Sequence, residues 1–166
     1  MRDDEISQMN EEKARHETFM RASIRCAKRA AAWGEVPIGA VVVNARGEIV
    51  GEGFNLREHL SDPTAHAELI ALRAATHRSG DWRLYGCTLY VTVEPCLMCA
   101  GAIVQSRIER VVFGADSPKS GVLGSLSNVY AIQGMNHYPH VTAGILAEEC
   151  GTIVEQFFSR RRNAEA

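Results

Sequence analysis

Two short stretches of the chain carry residue types that do chemistry: His66-Ala67-Glu68 and Pro95-Cys96-Leu97-Met98-Cys99. His66 offers an imidazole nitrogen, and Cys96 and Cys99 offer two thiolates. Together they make three protein ligands, which leaves the fourth tetrahedral position of a zinc ion open to water. Structural zinc sites are closed by four ligands, so a three-ligand set points to catalysis, with one Zn2+ per chain. Glu68 is then a carboxylate beside the metal that need not ligate it and is free to carry protons.

The spacing dictates which elements must present these groups. Cys96 and Cys99 are three apart, neighbours on one helix face. Pro95 precedes them, where a helix start tolerates a missing N–H. A helix N-terminus also presents free N–H groups and positive dipole, which favour thiolate over thiol. His66 and Glu68 are two apart, and in a helix interior they would point to opposite sides. They converge only in a first turn aimed end-on at the metal. Asp62-Pro63-Thr64, just upstream, supplies capping oxygens and a proline suited to such a start. The expectation is two helix N-termini facing one ion.

The remaining chain has to position those two starts. Residues 1–15 are strongly charged and short of core formers, and read as a frayed extension before one domain spanning residues 16–166. Phe19, Ala22, Cys26, Ala30 and Trp33 recur at helical spacing, and Gly34 ends that helix. Pro37 to Val43 reads as a buried strand, Asn44 to Gly47 as a turn, and Glu48 to Gly53 as the returning arm of a hairpin. Asn55 lies in the loop beyond. The His66 helix runs to about His77, Cys87 to Val93 is a strand rich in β-branched residues, and the cysteine helix runs to about Ser106. Ile108 to Gly114 is the next strand. Asp116 to Gly124 is a glycine- and serine-rich loop, Ser125 to Ile132 a short helix, Val141 to Ile145 a last strand, and Leu146 to about Arg162 a last helix. Strands alternating with helices imply a layered α/β domain with helices on both faces of a mixed sheet.

Size and charge narrow the function classes. A chain of 166 residues is one domain with room for a proper core, and its 46% apolar content is ordinary for a globular protein. A net charge of −2 means that any nucleic-acid partner must be held by a local basic patch. No apolar run reaches the roughly 18 residues of a membrane span. Met1 to Glu5 lacks a hydrophobic signal segment, so a cytoplasmic location is expected. Five cysteines without a signal segment argue for thiols and metal rather than disulfides.

The two stretches have the H-x-E and P-C-x-x-C pattern of zinc nucleobase deaminases and resemble the cytidine deaminase superfamily. The finer resemblance is to the bacterial tRNA-specific adenosine deaminases. It is carried by Pro37 to Val41, Asp62 to Glu68, Thr88 to Thr92, Glu94-Pro95-Cys96, Met98 to Ala102, Ser106-Arg107-Ile108, Val111 to Ala115, Gly134 to His137 and Phe157-Phe158. The likeness runs from about Glu17 to Arg162. It departs from the family pattern at Ser117, where an acidic residue tends to fall. The resemblance implies a three-layer α/β/α, cytidine-deaminase-like fold on a five-stranded sheet and a homodimer. It also implies deamination of adenosine to inosine at the wobble position of a tRNA anticodon, so the partner is an anticodon stem-loop.

Zinc held by two thiolates and one neutral imidazole is formally neutral, and acidifies its water less than a three-histidine site does. A nearby base therefore matters more. Glu68 fits: it takes the proton of the water that attacks C6, and returns protons to N1 and the leaving amine. Asn55 is the candidate base reader, because an amide both donates and accepts on an adenine edge. Its plainer reading is a turn residue, and the family likeness tips the balance to substrate contact.

Cys26, Cys87 and Cys150 lie on apolar patterns and read as core thiols. His16, His59, His77, His137 and His140 have no ligand spacing to the motif and read as surface or loop residues, His137 being placed where it could reach substrate. Arg160, Arg161 and Arg162 close the last helix, where cations also suit the dipole. Phe158 falls roughly 100° off the apolar face of Leu146, Cys150, Ile153 and Phe157, free to stack on a nucleotide. With Lys119 these residues form an RNA rim.

Two rivals remain. A deaminase of a free nucleobase or nucleoside, such as cytosine or guanine, would share the zinc chemistry but have less use for the arginine tail. A non-catalytic zinc- or RNA-binding module would have no use for the free carboxylate of Glu68.

Overall fold

The chain's central strands read as near-continuous apolar runs because both of their faces are covered. In the computed structural model, which describes residues 2–166, β1 (Gly39–Val43), β3 (Thr88–Val93) and β4 (Arg110–Ala115) form the middle of one five-stranded sheet. Successive side chains alternate between its faces. Ala40, Val42, Leu89, Val91, Val111 and Phe113 enter one core, and Val41, Val43, Tyr90 and Val112 enter the other. The helices α2 (Ala67–Ser79) and α3 (Leu97–Gln105) cover the first face; α1 (Asp3–Ala32) and α4 (Ala147–Glu165) cover the second. The result is the three-layer α/β/α arrangement the sequence implies.

The sheet order is β2-β1-β3-β4-β5, with β2 (Ile49–Phe54) and β5 (His140–Thr142) at the edges. β1 runs antiparallel to both β2 and β3, whereas β3, β4 and β5 are parallel. This mixture gathers distant segments at one end of the sheet. The C-terminal ends of β3 and β4 lie side by side, with Val93 paired to Ala115. Because β1 is antiparallel to β3, its beginning lies at that same end, and the end of β2 joins it through the pairing of Gly39 with Phe54. The chain just before β1 and just after β2, β3 and β4 therefore converges.

Residue size sets how closely α2 approaches. Ala67, Ala71 and Ala75 form its buried face, and they lie against Gly51 and Gly53 of β2. A Cβ at either glycine would collide with the α2 backbone. Small residues on both sides let the helix lie almost on the strand, which brings its N-terminus to the converging end of the sheet.

Three elements differ from the sequence expectation. Residues 3–15 are not frayed but form the first turns of α1, exposed throughout, with burial beginning at His16. The residues there are good helix formers, Asp3, Asp4 and Glu5 suit the N-terminal dipole, and the Arg2 backbone N–H donates to Glu5 at 3.1 Å. The packed turns that follow supply the nucleus such a segment needs. Met1 of that stretch lies outside the described residues. The expected helix at 125–132 shrinks to a single 3-10 turn, Val129–Ala131. The last strand covers only His140–Thr142, because Gly144 and Ile145 turn their N–H groups to the Phe113 carbonyl.

Candidate active site

Both chemical stretches sit where the sheet ends converge, each at a helix start. His66 is the N-cap of α2 with extended backbone, so Glu68 falls in the first turn. Cys96 is the N-cap of α3, also extended, and Cys99 falls one turn in. Pro95 stands just outside the helix, where its missing N–H costs nothing. The two starts face each other, as the spacing demands.

The donor atoms of His66, Cys96 and Cys99 all lie within 4.8 Å of one another. His66 Nδ1 is 3.7 Å from Cys96 Sγ and 3.6 Å from Cys99 Sγ. Zinc bonds of about 2.3 Å to sulfur and about 2.0 Å to nitrogen, at a tetrahedral angle, put these atoms about 3.5 Å apart. The donor set therefore fits one zinc ion, with His66 ligating through Nδ1. The Cys96 thiol is pulled down to about 3, first by its bond with the Cys99 thiol and then by His66, against the effect of burial. Cys99, as donor in that pair and deeply buried, is pushed up.

Glu68 is 4% exposed, beside this cluster. Burial pushes its carboxyl up to about 7, opposed by a backbone N–H and by His66. A carboxyl balanced near neutrality both accepts and returns protons, which suits a shuttle.

The cleft in front of the cluster is lined by residues from each of the converging segments. Val36 and Ile38 come from before β1, Asn55 and Arg57 from after β2, Glu94 from after β3, and Ser117 and Ser120 from after β4. Asn55 has both anticipated roles open to it. Its Oδ1 accepts the Arg57 N–H at 3.1 Å and its Nδ2 donates to the Val36 carbonyl at 3.2 Å, which ties the loop down. One N–H and one lone pair remain for a ligand in the cleft.

The other expected contacts divide into two groups. Lys119 and Phe158 line one shared depression beside the cleft, with Val93 and Ser117 common to both. Phe158 is 40% exposed and braced edge-on by Phe157 at 5.5 Å. Arg160 and Arg161 instead face a groove between α1 and α4, where Lys28 joins them. Arg162 is exposed on the last turns of α4. The arginines thus border the molecule's flank, apart from the residues that line the cleft.

His137 uses its ring on the Ile108 carbonyl, 2.5 Å away, and is not among the cleft residues. His16 is buried, contrary to the expectation of a surface residue. Cys26, Cys87 and Cys150 are buried free thiols, as expected.

Sequence reasoning gave no site role to Arg57, Ser120 or Glu94, and marked Ser117 only as a departure from the family pattern. Glu94 is 3% exposed, and burial works to raise its carboxyl. Hydrogen bonds from Ser125, Ser117 and Leu123 outweigh that and hold it below the usual carboxylate range. A glutamate next to a helix-starting proline is the only local signal it gave.

Fold and site together define a zinc-dependent hydrolytic deaminase. Residues 13–115 match the family model of the cytidine and deoxycytidylate deaminase zinc-binding region, and the chain belongs to that family. Within it, the chain is 51% identical to the tRNA-specific adenosine deaminase of Haemophilus influenzae, over 88% of this chain and 84% of that one. It is 49% identical to the tRNA-specific adenosine deaminase of Bacillus subtilis, over 88% and 90% respectively. A solved structure from a study of A-to-I editing by tRNA:A34 deaminases at the wobble position of transfer RNA superposes with a TM-score of 0.79. That chain is 40% identical, and the match covers 82% of this chain and 98% of that one.

Proposed function

We propose that this chain deaminates adenosine to inosine at the wobble position of a tRNA anticodon, as a cytoplasmic homodimer. The observation that carries the reading is the His66–Cys96–Cys99 donor set with buried Glu68 beside it, in a chain about half identical to tRNA-specific adenosine deaminases across most of their length. His66, Cys96 and Cys99 hold the zinc, which when bound supplies a Lewis acid that makes water nucleophilic at neutral pH.

The chain's own residues do the rest. Glu68 accepts one proton from the attacking water and passes it to N1 of the adenine. It then takes the second from the hydroxyl formed at C6 and delivers it to the exocyclic amine, which leaves as ammonia as the C6 carbonyl forms. Asn55 uses its free N–H and lone pair to orient the base. Phe158 stacks on a neighbouring nucleotide and Lys119 takes a phosphate, with Arg160, Arg161 and Arg162 holding the RNA further out. A base at two helix N-termini must be splayed out of any stack. An anticodon loop, already unpaired, keeps that cost small.

The test is inosine formation by zinc-loaded protein on an anticodon stem-loop, against free adenosine, cytidine and guanine. Turnover of the stem-loop with little on the free compounds supports the reading. Efficient turnover of a free base or nucleoside, insensitive to salt, returns the chain to small-molecule deamination.

A further inference from the structure

Glu94 lies outside the metal group, yet its carboxylate is buried, and among the described residues no ion pair reaches it. It is satisfied entirely by donors. Oε1 accepts the Ser117 N–H at 3.1 Å and the Ser125 hydroxyl; Oε2 accepts the N–H groups of Leu123 at 3.0 Å and Ser125 at 3.1 Å. All of these belong to the loop that follows β4. Gly121 of that loop faces the carboxylate so closely that a Cβ there would overlap it. Two backbone bonds complete the seam: Val122 N–H to the Pro95 carbonyl at 3.1 Å, and Glu94 N–H to the Ala115 carbonyl at 2.9 Å.

The loop at residues 117–125 buries Val122 and Leu123 in the core under α2 and α3, and the rest of it is polar and small. It wraps around one side chain, and Pro95 alone separates that side chain from the zinc ligand Cys96. The same loop presents Ser117 and Ser120 to the catalytic cleft and Lys119 to the depression with Phe158. We infer that Glu94 is a positioning residue for the deamination. Its carboxylate fixes the 117–125 loop as the substrate-side wall of the cleft, in register with the zinc ligands on α3. Glutamine cannot replace it. Both oxygens receive two donors each, so either orientation of the amide sets an NH2 group against N–H or O–H donors and leaves them unpaired. Its effect on substrate rests on the RNA reading above; its effect on the loop does not.

Limited trypsin digestion reads the loop directly, because the Lys119–Ser120 bond lies inside it. Mass spectrometry on zinc-loaded protein should show cleavage after Lys119 roughly tenfold or more faster in Glu94→Gln than in the wild type, the factor one lost hydrogen bond to a charged group is worth. On the stem-loop, KM should rise by a similar factor, with a smaller fall in kcat and one zinc still bound. Gly121→Ala leaves Glu94 intact but forces the loop off it, and should reproduce both changes, which keeps the test valid if Glu94→Gln folds poorly. Unchanged cleavage at Lys119 in both variants would overturn the inference, as would a loss confined to kcat. If the wild type does not act on the stem-loop, the RNA reading fails and the digestion still decides the role of Glu94.

Discussion

At the scale of single residues, the site separates holding the metal from moving protons. The three proposed ligands sit at N-cap or first-turn positions, whereas Glu68 lies outside that donor group and lines the cleft beside it. Glu68→Gln should therefore keep about one zinc per chain and a normal melting temperature, while turnover falls by ~10²–10⁴-fold, the range for an acid–base group. Elemental analysis beside single-turnover kinetics checks this, and loss of zinc in that variant would make Glu68 a ligand. Cys96→Ala should behave in the opposite way, losing metal, activity and some thermal stability together, because binding energy at such a site is also folding energy. Full zinc occupancy in Cys96→Ala would remove that residue from the ligand set.

At the scale of elements, two helix starts present the donor set and one helix end carries a run of arginines. Cations on the last turns of α4 oppose its C-terminal dipole, so the arginines stabilise the helix whether or not RNA is bound. Arg160 and Arg161 also line a groove between α1 and α4 with Lys28, where the proposed RNA contact would lie. Replacing Arg160, Arg161 and Arg162 with alanine should weaken stem-loop binding and flatten its salt dependence. At ~0.7 counterions per single-strand phosphate, three lost contacts lower the slope of log K against log salt by about two. The single-turnover rate at saturating RNA should change much less, since these groups position rather than react. An unchanged affinity and slope would leave the arginines as dipole partners only.

At the scale of the whole molecule, a buried histidine ties the layers together and sets an acid limit. His16 of α1 hydrogen-bonds through Nδ1 to the Tyr90 hydroxyl of β3 at 2.9 Å, while Glu12 stands 3.5 Å from Nε2. Burial lowers its pKa below the ordinary 6.5; Glu12 opposes, and Arg110 and Arg15 assist. The folded state therefore prefers the neutral ring, whereas the unfolded chain takes up a proton at the ordinary value. That contribution to stability is fully present above about pH 6.5 and is lost as pH falls through the unfolded pKa toward the folded one. Thermal melts at pH 7.5 and 5.5 should show a smaller drop for His16→Gln than for the wild type; equal drops would mean that other groups carry the acid sensitivity. Assembly belongs to this scale too. Leu97, Leu126 and Ile132 are large apolar side chains left more than half exposed, on the first turn of α3 and in the segment between β4 and β5. A homodimer would cover them. Light scattering should then give twice the 18.2 kDa of one chain, and Leu97→Lys should shift it toward monomer.

The sequence by itself determined the His-Cys-Cys donor set and the alternation of strands and helices, and singled out Glu68 as the proposed base, because each rests on short-range pattern. Ligand type and spacing specify a zinc site. Two residues two apart can serve one ion only from a helix start, and proline before Cys96 marks another. Periodicity separates strand from helix over a window of a few turns. Local composition misled where it was read as order or disorder: the charged residues 3–15 are helical because good helix formers adjoin a packed helix, and the 125–132 stretch is mostly loop because its backbone bonds go elsewhere. Only the tertiary structure decided what meets what. Antiparallel and parallel pairing bring the start of β1 and the ends of β2, β3 and β4 to one place, so Asn55, Arg57, Glu94 and Ser117 share a cleft although far apart in the chain. The same packing set Arg160 and Arg161 beside Lys28 and left Lys119 with Phe158. Burial, too, is a property of the assembled layers. Glu94 and His16 look like surface residues in a one-dimensional chain, and become buried polar groups only when a loop or a strand closes over them.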